Sequence, residues 1–159
     1  MNSKDIRQKE LEYAQSLSAS MLAWEESQKR KLAEILKRKG IILTKDNIPT
    51  IVHATTFEQI CSPENSTYCP LYLKQERCHP QLLELNCFLC NCPNYDAKYI
   101  EEQEENTLVG KCTIQSKGGH YHFSSLYPRV GVWSCEQCPT HHSKTFLAEY
   151  LKKTLPKSI

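Results

Sequence analysis

A chain of 159 residues makes one ordinary domain, or a small domain with an extension. Its 40% apolar content is low for a well-filled core of that size, and a formal net charge of +2 carries no strong field. No stretch approaches the roughly 18 apolar residues of a membrane span, and the opening "MNSKDIRQKELEYAQ" has no apolar run after its charges, as a secretory signal would. A cytoplasmic setting, where thiols stay reduced, is therefore expected.

The first predicted element is a long helix. Ser3 reads as its cap, with Asp5 in the first turn where a negative charge suits the helix dipole. Ile6, Tyr13, Leu17, Met21, Trp24, Leu32 and Ile35 recur on one face of a 3.6-residue period. "KRKG" ends the element, with Gly40 as a left-handed cap. Unbroken, it spans about 55 Å, and a break near Ser18–Ser20 would shorten it. The basic run over residues 29–39 offers a route to nucleic acid or an anionic surface, although such a run more often forms a solvated helix end. "IILTKDNIPTIV" reads as a loop or short extended segment, because Pro49 disfavours helix in the residue before it. Thr55 with Glu58 resembles a capping box, opening a short helix that reaches Cys61. The acidic run at Glu101–Glu105 reads as a solvated loop. "KCTIQSKGGHYHF" alternates on both sides of "SKGG" and reads as a β-hairpin. It puts His120 and His122 on one strand face, with no partner carboxylate evident in the sequence. "SKTFLAEYLKK" reads as a closing helix with Phe146, Leu147, Tyr150 and Leu151 on one face.

All nine cysteines lie between Cys61 and Cys138. That divides the chain into a helical N-terminal extension, residues 1–55, and a cysteine-rich module, residues 56–159. The expected class is α+β: a small metal-stapled module with few short strands, preceded by a long N-terminal helix. A module with few aliphatic residues needs another source of stability, and metal ions commonly provide it. Nine is odd, so disulfide pairing would leave one thiol over.

The stretch "CFLCNC" and the later "CEQC" carry the chemistry. Two cysteines separated by two residues can bend round one ion, and zinc takes four thiolate or imidazole ligands in a tetrahedron. Cys87/Cys90 and Cys135/Cys138 have that spacing. Cys92 points away from the first ion if the segment is extended. Cys78 or Cys69, Cys112, and His141 or His142 complete the eight ligands of two zinc ions. The C-x-x-C-x-C spacing also suits an iron–sulfur cluster, since four thiolates hold either.

"CHPQLLELNCFLCNCPNY" (Cys78–Tyr95), "GKC" (Gly110–Cys112) and "GVWSCEQCPTHH" (Gly131–His142) together resemble the cysteine-rich small domain of bacteria and archaea. The resemblance runs over roughly residues 69–150. Cys78, His79, Asn86, Cys87, Cys90, Cys92, Pro93, Tyr95, Cys112, Gly131, Cys135, Cys138 and His142 fall on its pattern. Cys69 lies further ahead of Cys78 than the family's upstream cysteine, and His141 replaces a proline. The resemblance implies a metal-binding module without an assigned biochemical role.

The ligands are expected to divide into two sets. Cys87, Cys90, Cys135 and Cys138 converge on one ion. Cys78, Cys92, Cys112 and His142 collect on a second, with Cys78 preferred to His79 because adjacent residues seldom bind one ion. Function is then expected to be interaction with an unidentified protein partner, or with nucleic acid through residues 29–39, in the manner of a zinc finger. The alternative is an iron–sulfur or open-site zinc protein with a redox or enzyme-accessory role. No nucleophile–base pair, phosphate loop or carboxylate dyad is evident, so enzymatic activity is not expected.

Overall fold

The computed structural model describes Met1–Ser158. It is an α+β fold with helices α1 (Ser3–Arg38), α2 (Ile48–Ala54), α3 (Phe57–Ile60) and α4 (Lys144–Thr154) and strands β1 (Tyr95–Gln103), β2 (Asn106–Cys112), β3 (His120–Phe123) and β4 (Val130–Ser134). Two compact units interleave along the chain. The first joins Met1–Glu26 to Pro93–Cys138, and the second joins Ser27–Cys92 to Pro139 onwards.

The long helix runs unbroken through Ser18–Ser20. Ser18 is buried, and its hydroxyl donates to the Ala97 carbonyl at 2.6 Å. The serine that looked like a break is a contact. At the N-terminus the cap is Asn2, whose Oδ1 accepts from the Asp5 N–H at 2.9 Å, and Ser3 lies inside the helix. At the other end Gly40, at φ +69°, closes the helix. The Gly40 and Ile41 N–H groups donate to the Lys37 and Leu36 carbonyls, each at 3.0 Å, which is a Schellman closure.

In the first unit the four strands form one mixed sheet in the order β1-β2-β4-β3. Strands β1 and β2 make an antiparallel hairpin, with Gln103 opposite Asn106 and Glu104 at φ +57° in the turn. The acidic run expected to be a loop is therefore divided: Glu101 and Glu102 end the strand, and Glu104 and Glu105 form the turn. An edge strand tolerates charge because its outer face is solvated, and charge there discourages pairing with another chain. Arg7 Nη2 meets Glu102 Oε1 at 2.8 Å.

The expected hairpin between residues 111 and 123 does not form, because β4 lies between β2 and β3. It pairs parallel with β2 and antiparallel with β3. Thr107, Leu108 and Val109 of β2 are all buried, so this strand is central and has a neighbour on both edges. Local alternation cannot reveal which strand fills that edge. Ala14, Val109 and Val130 form the core here, joined by Tyr13, Leu17, Met21, Tyr127 and Val132. Gly110 sits at φ +75° with the Tyr95 ring lying where a β-carbon would be, so both backbone and space require glycine.

Glu10 is buried in this unit and takes both donors of Arg129, Nε and Nη2, at 2.9 Å each. Arg129→Leu is expected to destabilise the protein by about 2 kcal/mol, seen as a lower urea midpoint. That is below the roughly 3–5 kcal/mol of breaking a fully buried pair, because Arg7 stays 3.4 Å from the same carboxylate. An unchanged midpoint would show that the pair contributes nothing.

The second unit has two apolar clusters. One gathers Ile35 of α1, Ile60 of α3, Tyr68 and Leu85 together with Cys61 and Cys87. The other gathers Ile48 and Ile51 of α2, Leu89, and Leu147 and Leu151 of α4. The segment around Pro49 is helical rather than extended. Proline stands in the first turn, where its missing N–H has no partner to lose. The expected capping box is not made. Thr55 Oγ1 instead donates to the Ile51 carbonyl at 2.8 Å, and α3 starts after Thr56. The closing helix forms as expected, capped by Ser143, whose Oγ accepts from the Phe146 N–H at 3.3 Å. No helix among the described residues is long and apolar enough to cross a membrane.

Candidate metal centre

The second unit brings Cys78, His79 and His142 together. Their ligand atoms all lie within 4.8 Å of one another. Cys78 Sγ is 3.4 Å from His142 Nε2 and 3.1 Å from His79 Nδ1. Adjacent residues seldom bind one ion, but Cys78 and His79 lie in an irregular stretch and turn to the same point. The imidazoles are buried, while Cys78 is exposed.

His142 is oriented as a ligand would be. It lies in a single 3-10 turn, Thr140–His142, just before α4. Its Nδ1 is 2.8 Å from the Asn86 carbonyl, so Nδ1–H donates there and Nε2 presents its lone pair toward Cys78. Asn86 is pinned in turn: its Nδ2 donates to the Val52 carbonyl at 2.8 Å, and its Oδ1 accepts from the Phe88 N–H at 2.9 Å. Burial holds the His142 ring neutral, pushing its pKa down to about 4. The Asn86 bond opposes this, and His79 adds to it. His141 is also buried, its ring 4.0 Å from that of His142, and burial and its two histidine neighbours push it down to about 3. His142 also lines a cleft of about 410 Å³ with Val52, His53, Leu85 and Lys144.

Thiols crowd round this group. Cys61 shares hydrogen bonds with Cys69 and with Cys87. The Cys69 bond lowers the Cys61 pKa, but the Cys87 bond, burial and the neighbouring sulfurs raise it to about 12. Cys69 is raised by its bond to Cys61 and by burial. Burial and then the charges of Cys78 and Cys69 raise Cys90 to about 12. The Cys87–Cys90 knuckle is a turn, with the Cys90 N–H on the Cys87 carbonyl at 3.3 Å. Tyr68 Oη donates to that same carbonyl at 2.9 Å. Burial and neighbouring sulfurs disfavour the thiolates of Cys61, Cys69 and Cys90, and a bound cation reverses the sign of that interaction. The donor set fits a metal.

Cys112, Cys135 and Cys138 belong to the first unit. Cys138 N–H donates to the Cys135 carbonyl at 2.9 Å, which makes the second knuckle. Ser116 links it to Cys112: the Ser116 N–H points to Cys112 Sγ at 3.4 Å, and its hydroxyl donates to Cys138 Sγ at 3.0 Å. Cys92 is half-buried and ends the first stretch of the second unit. Of the second expected set, the structure places Cys78 with His142, and it places Cys112 with Cys138 of the first set.

Spacing alone points to neither Cys61 nor His79, and offers Cys69 only as an alternative to Cys78. Cys61 and Cys69 have no paired motif and meet only because the chain turns between them, through the 3-10 turn Pro63–Asn65. His79 reads in the sequence as second choice to its neighbour Cys78. The one available signal was that Cys61 and Cys69 fall in a segment with few aliphatic residues. Comparison with family models, with curated proteins and with solved structures finds no match to the chain.

Proposed function

We propose that the protein binds two structural zinc ions, one in each unit, and acts as an interaction module for a protein partner. The observation that carries this reading is the meeting of one thiol and two imidazoles at Cys78, His79 and His142, with the tautomer of His142 set by Asn86. Two imidazoles beside a thiol suit zinc better than an iron–sulfur cluster, which takes thiolates. In the second unit Cys78, His79 and His142 hold the ion, with the thiols of Cys61, Cys69, Cys87 and Cys90 alongside. In the first unit Cys112, Cys135 and Cys138 are the ligands. When bound, zinc supplies a cross-link between segments distant in sequence.

A protein partner is favoured over nucleic acid because two cations of the basic stretch, Lys31 and Arg38, already bond within the second unit. Lys31 Nζ donates to the Thr67 carbonyl at 2.9 Å, and Arg38 Nη2 to Asn65 Oδ1 at 2.8 Å. Leu73 and Leu83, by contrast, stand exposed. The resemblance to the cysteine-rich small domain agrees with a metal module. One observation favours a second reading: His142 lines a cleft, as an open-site zinc with an enzyme-accessory role would need.

Metal analysis of anaerobically purified protein tests the reading. The expected result is a colourless protein with about two zinc ions per chain. Absorbance near about 400 nm with iron and sulfide would replace it with a cluster protein. Cysteine variants test the division by unit. Cys78→Ser and Cys138→Ser should each lose about one ion, and the double variant about two. Cys78→Ser combined with Cys112→Ser separates the two groupings. A shared ion predicts a loss of one, and division by unit predicts a loss of two.

A further inference from the structure

We propose that His120, His122 and Glu136 form a surface site for one divalent first-row transition ion, made by residues separate from the cysteine ligands and with a coordination position left to solvent. The first observation is geometric. Glu136 Oε1 lies 3.1 Å from His122 Nε2 and 3.6 Å from His120 Nε2. The ligand atoms of all three residues lie within 4.8 Å of one another. A tetrahedral ion with bonds of about 2.0–2.1 Å to nitrogen and oxygen holds its ligand atoms about 3.3 Å apart. The observed separations bracket that edge.

The second observation is how the three side chains are aimed. His120 and His122 are two apart on β3, so strand alternation puts both on one face. Tyr121, between them, is anchored on the other face: its hydroxyl donates to the Gly110 carbonyl at 2.9 Å, and its ring meets Trp133 edge-on at 5.0 Å. That anchor stops β3 from turning the histidines inward. Pairing with β4 sets His120 opposite Ser134, and Glu136 follows two residues later. Its N–H points to Ser134 Oγ at 3.4 Å. Glu136 also lies inside the Cys135–Cys138 knuckle. The turn that carries those two cysteines leaves the intervening carboxylate exposed, facing the histidines.

The donor set identifies the ion. Imidazoles favour zinc and its first-row neighbours over magnesium or calcium, which take oxygen ligands. Three protein ligands fill only part of a coordination shell. The side chains are 45%, 56% and 54% exposed, for His120, His122 and Glu136, so an ion and water both reach them. A structural zinc site is closed by protein, whereas this one is open and exchangeable. It therefore differs in kind from the cysteine ligands.

The test uses the full chain with its tight zinc in place and loosely held metal removed by a mild chelating resin. Zinc chloride is then titrated into it by calorimetry, and the ring signals of His120 and His122 are followed by NMR. The expected result is one further ion per chain at micromolar affinity, with those two rings shifting. His120→Ala combined with His122→Ala should abolish that binding, and Glu136→Gln should weaken it about tenfold. The resin-resistant zinc content and thermal midpoint should stay unchanged in both. Absence of a further ion at about 100 μM zinc overturns the site, as does equal binding by the double histidine variant. Failure of the cysteine reading would appear separately, as absence of resin-resistant zinc.

Discussion

Stripping metal from the protein with excess chelator is expected to unfold the second unit's cysteine-containing core while leaving much of α1 helical. Structural zinc contributes about 10–16 kcal/mol to small metal-folded modules. A whole domain has only about 5–15 kcal/mol of net stability. Loss of the ion therefore exceeds what the remaining packing supplies. Cys61 and Cys87 are part of one apolar cluster with Ile35, Ile60, Tyr68 and Leu85. Without a cation these thiols stay protonated, with Cys61 and Cys90 both raised to about 12, so no thiolate–metal bonds tie their segments together. The first half of α1 has its own core with Val109 and Val130 through Ala14, so it keeps a packing surface. Far-ultraviolet circular dichroism, read with the thermal transition, measures both parts. The expected signal is loss of the cooperative transition with partial retention of helix. A thermal transition unmoved by chelation would remove metal from the account of stability.

Acidification is expected to destabilise the metal-loaded protein over a window set by two buried imidazoles. The folded-state pKa of His142 is about 4 and that of His141 about 3, against 6.5 for an unperturbed histidine. Between those values the unfolded chain binds more protons than the folded one, so stability rises with pH there. The contribution is complete above 6.5 and is lost as pH falls through the window. Each imidazole adds at most about 1.4 kcal/mol per pH unit, so the pair reaches about 2.7. An ion on His142 acts in the same direction, because a ligand ring must be neutral. Urea midpoints between about pH 7 and about pH 5 give the slope. His141→Gln should reduce it by up to half while sparing the metal content. Midpoints that do not change over that range would show that these rings are not held neutral by the fold.

Elements with a strong local signal were legible in the chain. The long helix follows from seven apolar positions on one face, and its glycine stop follows from the αL cap that Gly40 adopts. The closing helix follows from Ser143 and an apolar face. Features that depend on what lies across the chain were not legible. Pro49 reads as a breaker until its place in a first turn is known. The first half of the acidic run, Glu101 and Glu102, reads as a loop until it is known to end an edge strand.

The candidate site divides in the same way. By itself, the sequence determined that thiols and imidazoles bunch between Cys61 and His142 and that two knuckles are present, because a C-x-x-C turn is a local object. Which ligands meet was decided only by the tertiary structure. Cys78 is 64 residues from His142, and the two are brought to 3.4 Å. His120 and His122 acquire a carboxylate only because β4 pairs with β3 and sets Glu136 beside them. Spacing along a chain fixes geometry over a turn or a strand. Over tens of residues, position depends on how side chains pack and strands pair, and those contacts have no signature in the local sequence.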